Sequence, residues 1–439
     1  MLERLFRLKE NGTAARTEVL AGITTFLTMA YIVLVNPAIL ADAGMPAAGA
    51  AAATCLAAAF GSITMGLLAN YPIALAPGMG LNAYFTYTVV KGMGLPWETA
   101  LGCVFLSGVL FLALTVSGVR RLIVGAIPAS LFAAIAAGIG LFIAFIGLKS
   151  AGVIVAHPAT TVALGRLDTP SAGLAVFGLA LTAALLAWRI RAAMLVGILA
   201  TTALAWAVGA VRWTPGDYSL EALTSTAFRL DVPAALGIGG GGLTLALVEI
   251  VVVFLFVDLF DNVGTLVAVT KRAGLVEPDG TIPRLNRVLL ADSAATIVGS
   301  VAGTTTTVSY IESAAGVAAG GRTGLTAVVV GLLFLAALAF APFAQAIPAA
   351  ATAPALVLVG ALMMAPLAQS DWSDPLVAIP GFLTLIGIPL TFSIANGLAF
   401  GVIAYALLRL VRGQARAGDW LLYLLAVLFA ARFAWLAAG

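Results

Sequence analysis

The chain has 439 residues, of which 62% are apolar and only 9% charged, and its mean hydropathy is +1.11. A soluble globular protein carries roughly 25% charged residues, so the solvent for most of this chain is lipid. The net charge is +3 and the isoelectric point is near 9.0, but the cations sit in short loops at the ends of apolar stretches. They form no basic patch interleaved with aromatics, which excludes a nucleic-acid surface and leaves them as orientation signals. Cys55 and Cys103 both lie inside apolar stretches, with neither a disulfide framework nor zinc-ligand spacing.

The N-terminal MLERLFRLKENGTAARTE is charged and has no cleavable apolar core, so it reads as a cytoplasmic segment rather than a signal peptide. Apolar stretches long enough to cross ~30 Å of hydrocarbon follow it. Read against Pro, Gly and charge punctuation, spans are expected near 19–40, 50–69, 71–90, 96–118, 128–148, 172–188 and 192–211, then near 242–268, 285–302, 303–320, 323–341, 346–366, 376–391 and 393–411. The expected fold is therefore all-α and polytopic, with fourteen segments in two sevens. An odd number per half turns the second half upside down, which is the inverted-repeat arrangement of many secondary transporters.

The loop charges fit that count. Arg4, Arg7, Lys9, Arg16, Arg120, Arg121, Arg189, Arg191, Lys271, Arg272, Arg284, Arg287, Arg322, Arg409, Arg412 and Arg416 all fall on one side, while Asp42, Glu98, Asp168, Asp217, Glu221 and Asp231 fall on the other. The cation-rich side is the cytoplasm, and both ends of the fourteen-segment unit are expected there. Internal similarity also suggests two halves: GAIPASLFAAIAAGIGLF from Gly125 parallels QAIPAAATAPALVLVGAL from Gln345, and AMLVGILATTALAW from Ala193 parallels ANGLAFGVIAYALL from Ala395. A further apolar stretch, Trp420 to Leu436, is either an additional span or an interfacial helix.

The third and tenth segments break the pattern. YPIALAPGMGLNAYFTYTVV carries Pro72, Pro77, Gly78 and Gly80 in its first half, which disfavours a continuous helix. An extended strand is expected over 73–76, with a half-helix from near Gly80. AGTTTTVSYIESAAGVAAGG opens on Gly303 and a β-branched run from Thr304 to Val308, so extended backbone is expected before a helix beginning near Ser309. Non-helical backbone at bilayer depth is tolerated only where it is buried in protein or lines a cavity. Two such breaks in matching positions point to one central site, with the N-terminal ends of the half-helices facing it.

A carboxyl group inside a span costs roughly 2.5–3.5 kcal/mol on insertion scales, so each is a functional candidate. The candidates are Glu249, Asp258, Asp261, Asp292 and Glu312. Glu312 directly follows the tenth-segment break, and Asp258 and Asp261 share one helix face at i, i+3 in FLFVDLFDNVGTL. Asn82 begins the other half-helix with an amide that both donates and accepts. Paired carboxylates with aromatic neighbours suit a purine base, because a carboxylate accepts two parallel N–H bonds from its edge as it does from an arginine fork. Phe26, Tyr31, Tyr84, Phe85 and Tyr310 are available for stacking, and Ile311 lies beside them in the chain. One or more of Asp258, Asp261 and Glu312 is expected to exchange a proton, a route to symport driven by the proton gradient without any cofactor. Asp292 is expected to cap or brace a helix, Glu249 to lie near the outer interface, and His157 to be solvated in an outer loop.

LKENGTAARTEVLAGITTFLTMAYIVLVNPAIL, ALAPGMGLNAYF, FLFVDLFDNVGTLV and TTTTVSYIESAAGV, spanning Leu8 to Val317, resemble the signatures of the AzgA-like guanine/hypoxanthine and adenine permeases of the nucleobase–ascorbate transporter superfamily. The resemblance implies a purine permease of the bacterial inner membrane. It implies a core domain from 1–118 and 242–341, a gate domain from 119–212 and 342–412, an extra apolar helix over 413–439, and elevator-like motion between core and gate. It implies substrate contacts from Gly80 and Asn82, from an eighth-segment aspartate, and from Glu312. Asp261 is preferred for that aspartate because it precedes Val-Gly-Thr, with Asp258 second. Asn262 departs from the pattern, where threonine is expected more often. Relatives also make a homodimer through the gate domains an expectation.

The competing readings are an anion transporter of the same fold, a xanthine/uracil permease and an intramembrane hydrolase. Several acids crowd the site with no arginine nearby, which repels a divalent anion. A hydrolase lacks a histidine base within the spans, and metal transport lacks clustered His, Cys or Met.

Overall fold

The computed structural model describes residues 2–117, 128–211, 219–238, 242, 244–277, 282–415 and 419–438, and leaves aside the side chains of residues 129, 260, 263, 345 and 435–438. Arg120, Arg121, Asp217, Arg416 and the start of the stretch from Gly125 lie outside the described residues. The chain is mostly helical. Among the described residues, nine helices are long and apolar enough to cross a membrane. The residues divide into two compact units, 1–116 with 147–356, and 117–146 with 357–439.

In the first unit the opening span runs over Ala15–Asp42 and is divided at Ala30–Tyr31 into α1, Ala15–Met29, and α2, Ile32–Asp42. The expectation of a span starting at Val19 is corrected by one turn, and that turn brings Glu18 inside. Next come α3, Ala47–Thr64, strand β1, Leu75–Pro77, and α4, Met79–Ala83, which continues as a π-helical stretch over Tyr84–Val90. Helix α5 covers Trp97–Ser117. After α6, Ala129–Ser150, comes a hairpin of β2, Ile154–His157, and β3, Thr161–Leu164. His157 is thus on a strand rather than in a loop, because the β-branched residues on either side favour extended pairing. It stays exposed, and its Nδ1 accepts the Ala159 N–H at 3.3 Å.

Helices α7, Pro170–Ala187, and α8, Ala193–Ala207, precede the 29-residue α9, Leu245–Ala273. Then follow α10, Leu285–Ala302, strand β4, Thr307–Ser309, the short α11, Ser313–Ala318, and α12, Gly324–Ala337. Strands β1 and β4 pair antiparallel, with Leu75 opposite Ser309, Ala76 opposite Val308 and Pro77 opposite Thr307. The first strand thus lies about two residues later than expected. The tenth-segment helix begins at Ser313, four residues later than expected, because pairing with β1 keeps the chain extended through Ser309.

The interruptions leave backbone groups that no helix can satisfy, and neighbouring hydroxyls take them up. Ser62 of α3 accepts the Leu75 N–H at 2.9 Å and donates to the Leu75 carbonyl at 3.1 Å. Thr296 of α10 does the same for Thr307, accepting its N–H at 3.2 Å and donating to its carbonyl at 3.1 Å. Each strand is therefore tied to the helix that precedes it by one hydroxyl used in both directions. The Ser313 hydroxyl accepts the Ala74 N–H at 3.0 Å, the Tyr310 N–H donates to the Ala74 carbonyl at 3.0 Å and the Gly78 N–H to the Thr306 carbonyl at 2.9 Å, so the pairing extends past the strand ends.

Helix packing in this unit relies on small residues, as expected where lipid removes the hydrophobic drive between helices. A Cβ on Gly324 would lie 2.0 Å from the Gly66 carbonyl oxygen. Glu18, fully buried, receives the Arg322 N–H at 2.8 Å, the Thr323 N–H at 3.2 Å and the Thr326 hydroxyl at 2.6 Å, and so caps the start of α12. Asn70 accepts the Gly324 N–H at 2.7 Å and donates to the Phe6 carbonyl at 3.0 Å, while Phe6 and Leu8 pack against Leu325.

The second unit contains α6 up to Ile146, the end of α13, Ala349–Leu362, and the helices α14, Pro375–Thr391, α15, Ile394–Val411, and α16, Trp420–Ala438. Phe392, in the left-handed region between α14 and α15, meets Phe142 and Phe145 edge to face at 5.5 and 5.3 Å. Helix α16 packs on α15 through Phe433, stacked on Phe400 at 5.3 Å, and through Arg432, whose guanidinium donates to Asn396 at 2.9 Å. That bond gives one of the guanidinium's donors a partner in an otherwise apolar helix.

Glu18→Ala strips the cap from α12 and leaves buried donors unmet, which is expected to cost about 2–4 kcal/mol. Thermal unfolding of the purified protein should show a lowered midpoint, with Glu18→Gln falling between the two.

Candidate functional site

The tenth-segment break places Glu312 at the N-cap of α11, where its side chain is partly buried. The division of the opening span places Tyr31, 2% exposed, opposite it, and the Tyr31 hydroxyl donates to Glu312 Oε1 at 2.9 Å. Tyr310 follows β4 directly and donates its hydroxyl to the Pro77 carbonyl of β1 at 2.5 Å. Asp261 projects from the middle of α9, which packs against α11 and β4. Asp261 lies within electrostatic reach of Glu312, and Tyr310 within reach of both. The structure thus gathers Tyr31, Asp261, Tyr310 and Glu312 around the strand crossing.

Helix α11 is held firmly for an element of six residues. Gly316 allows it to press on α1, since a Cβ there would lie 2.1 Å from the Thr25 hydroxyl. Arg322 donates to the Val317 and Gly321 carbonyls, both at 2.8 Å, at its far end. Its two ends are therefore tied to α1 and the turn after it, by Tyr31 on Glu312 and by Glu18 on Arg322.

The other candidates have different surroundings. Asn82 is fully buried, and its amide donates to Asn36 and accepts from Thr305. Asn36 in turn donates to Thr54 at 2.8 Å and Thr304 at 3.0 Å. This chain of amides and hydroxyls joins α2, α3, α4 and the run ahead of β4. Gly80 is buried within α4, and Ile311 is 49% exposed beside Glu312. Phe26 turns the edge of its ring to Phe334 at 5.2 Å, and Tyr84 does so to Phe254 at 5.1 Å, so both have packing partners. Phe85 is buried. Asp258, 1% exposed, accepts from Asn262 at 2.7 Å. Asp292, fully buried in α10, accepts from the same amide at 2.6 Å. Glu249 sits one turn into α9, partly buried.

Sequence reading passed over Glu18, Asn36 and the role of Asn262. Glu18 lies at the edge of a charged N-terminal segment, and periodicity gave no sign of its burial. Asn36 stands before a proline in a strongly apolar run, which was the available signal.

The strand pair between interrupted helices and the acids beside it define a polytopic membrane transporter. Of the solved structures, the transmembrane domain of a cyanobacterium bicarbonate transporter, BicA, shares the fold with a TM-score of 0.61 at 14% identity, covering 88% of this chain and 97% of that one. The chain belongs to the Permease family, whose model matches residues 16–400. It is 46% identical to the adenine permease AdeP of Escherichia coli over 95% of this chain and 92% of that protein. It is 43% identical to the guanine/hypoxanthine permease PbuG of Bacillus subtilis over 99% of this chain and all of that protein. The chain is accordingly a transporter and not an enzyme.

A hydroxyl can donate to a carboxylate or accept from a carboxylic acid, so Tyr31 serves Glu312 in either protonation state. Tyr31→Phe removes a bond worth about 1.5–3 kcal/mol when the partner is charged. Substrate affinity is expected to fall roughly tenfold at unchanged membrane expression, read from the KM of uptake.

Proposed function

We propose that this chain moves purine nucleobases across the membrane by proton symport, with Asp261 and Glu312 gripping the N–H edge of the base. The observations that support the reading are the placing of Asp261 on α9, which packs against α11 and β4, within electrostatic reach of Glu312 at the N-cap of α11, and relatives that include adenine and guanine/hypoxanthine permeases. A carboxylate accepts two parallel N–H bonds from an amide edge with its adjoining amine. Tyr310 and Ile311 supply surface for the flat face of the base, and Phe26 packs nearby on α1. Asn82 acts by holding the start of α4 in place, since its amide is engaged by Asn36 and Thr305, and Gly80, two residues before it in α4, is a backbone contact for the base.

Two acids within electrostatic reach of one another in a low-dielectric interior are costly to keep ionised together. A base bound by its N–H edge favours the charged form of its partner, so its arrival and departure are linked to proton exchange. The proton gradient is then the sole driving force, with no cofactor. Asp258 belongs to the same helix face and is a further member of the proton path.

The matching braces of Ser62 on β1 and Thr296 on β4 support a two-fold plan of fourteen segments as seven plus seven inverted, with strands in the third and tenth. On that plan a core domain carries the site and moves against a gate domain like an elevator. Both termini of the fourteen-segment unit face the cytoplasm of a cell whose inner membrane holds the protein, and gate domains pair it into a homodimer. A divalent anion is a poorer substrate, because the acids at the crossing would repel it.

Glu312→Ala and Asp261→Ala are each expected to abolish uptake of labelled hypoxanthine or adenine in a permease-deficient strain while the protein still reaches the membrane. Wild-type rates in both would refute the assignment. An uncoupler is expected to stop uptake by the wild-type protein, and uptake that persists in its presence would mean facilitated diffusion instead.

A further inference from the structure

Asn262, where the resemblance leads one to expect threonine more often, makes three hydrogen bonds through its carboxamide. Its two N–H bonds go to Asp258 Oδ1 at 2.7 Å, one turn back on α9, and to Asp292 Oδ2 at 2.6 Å on α10. Its oxygen accepts the Ser309 N–H of β4 at 3.0 Å. All three residues it contacts are buried, at 2% exposure or less, and Asn262 itself is fully buried. No other uncharged side chain of this size offers two donors and an acceptor in that planar arrangement. The contact joins α9, α10 and β4 at one point. That point is one residue from Asp261 and three residues from Glu312, on the two chain segments that carry those acids.

We infer that Asn262 is a positioning residue for the binding acids, and that its carboxamide sets where Asp261 and Glu312 stand relative to each other. The inference rests on the proposed role of those two acids and deepens it. Ser309 is the last residue of β4, so the bond to its N–H fixes where the strand ends and the turn through Tyr310 and Glu312 begins. The bonds to Asp258 and Asp292 fix the rotation of α9 against α10 and hence the direction in which Asp261 points. Loss of the amide loosens both segments at once, and a bidentate grip on a planar base is sensitive to displacements well below the length of a bond.

The decisive variant is Asn262→Asp, which keeps the size of the side chain and the acceptor for Ser309 but turns both donors into acceptors facing carboxyl oxygens. Its partner is N262D/D292N, which puts the amide on α10 and restores a donor–acceptor match between positions 262 and 292, while Asp258 still faces a carboxyl oxygen, so the double variant recovers in part. Two measurements are made on the purified full-length protein and on cells expressing it. Hydrogen–deuterium exchange without substrate is expected to speed up several-fold in the peptide covering 307–313 of N262D and to return toward wild type in the double variant. The KM for labelled purine is expected to rise roughly tenfold in N262D, more than Vmax falls, and to recover in part in the double variant. Exchange or KM at the wild-type value in N262D overturns the inference. A wild-type protein that moves no purine sinks the purine reading instead, and the exchange measurement still decides whether Asn262 holds this segment.

Discussion

Two spans of this transporter stop being helices in the middle of an apolar interior, and every backbone N–H and C=O released there has to find a partner. In hydrocarbon each unmet group costs several kcal/mol, which is comparable to the whole stability of a small domain. The pairing of Leu75–Pro77 with Thr307–Ser309 answers part of that demand, and the hydroxyls of Ser62, Thr296 and Ser313 answer more of it. The benefit is a place where irregular backbone, side chains and substrate can meet, because the chain is not closed upon itself as a helix would be. The acids, the tyrosines and the small residues around them make sense only given that crossing.

The polar groups near the crossing sort into two kinds by what they already touch. Asn82, Asn36, Thr54, Thr304 and Thr305 bond to one another across four segments, and Glu18 bonds to the start of α12. These are internal joints, the polar adhesive that membrane interiors use between helices. Tyr31, Asp261 and Glu312 stand apart from them: the Glu312 carboxylate accepts the Tyr31 hydroxyl and lies within electrostatic reach of Asp261. A site that must release its substrate needs groups not fully consumed by the protein, and the proposed site places such groups beside Ile311. The joint at Asn262 links the two kinds.

Likeness of fold and likeness of sequence carry different weight. The BicA transmembrane domain shares the architecture at 14% identity and is named for bicarbonate, and a shared fold does not fix what is carried. The relatives named for adenine and for guanine/hypoxanthine match nearly the full length of the chain at 43–46% identity, and it is with them that the acids on α9 and before α11 have to be compared.

The sequence alone determined the solvent, the class of fold and the places where helices fail. Charge at 9% and long apolar runs admit only a membrane interior, the helix expected over 285–302 is Leu285–Ala302 in the structure, and Pro72, Pro77 and the run of threonines after Gly303 mark both interruptions. These are local properties: a proline lacks its donor and a β-branched run prefers extended backbone whatever lies beside it. Tertiary structure alone decided that the tenth-segment helix waits until Ser313, that Glu18 is buried, that Asn82 is held by Asn36 and Thr305, and that Asn262 reaches Asp292 and Ser309. Each of these depends on a partner 30 to 308 residues away in the chain. Register between paired strands and the choice among hydrogen-bond partners are set by contacts that exist only after the segments have packed, and no periodicity within one segment records them.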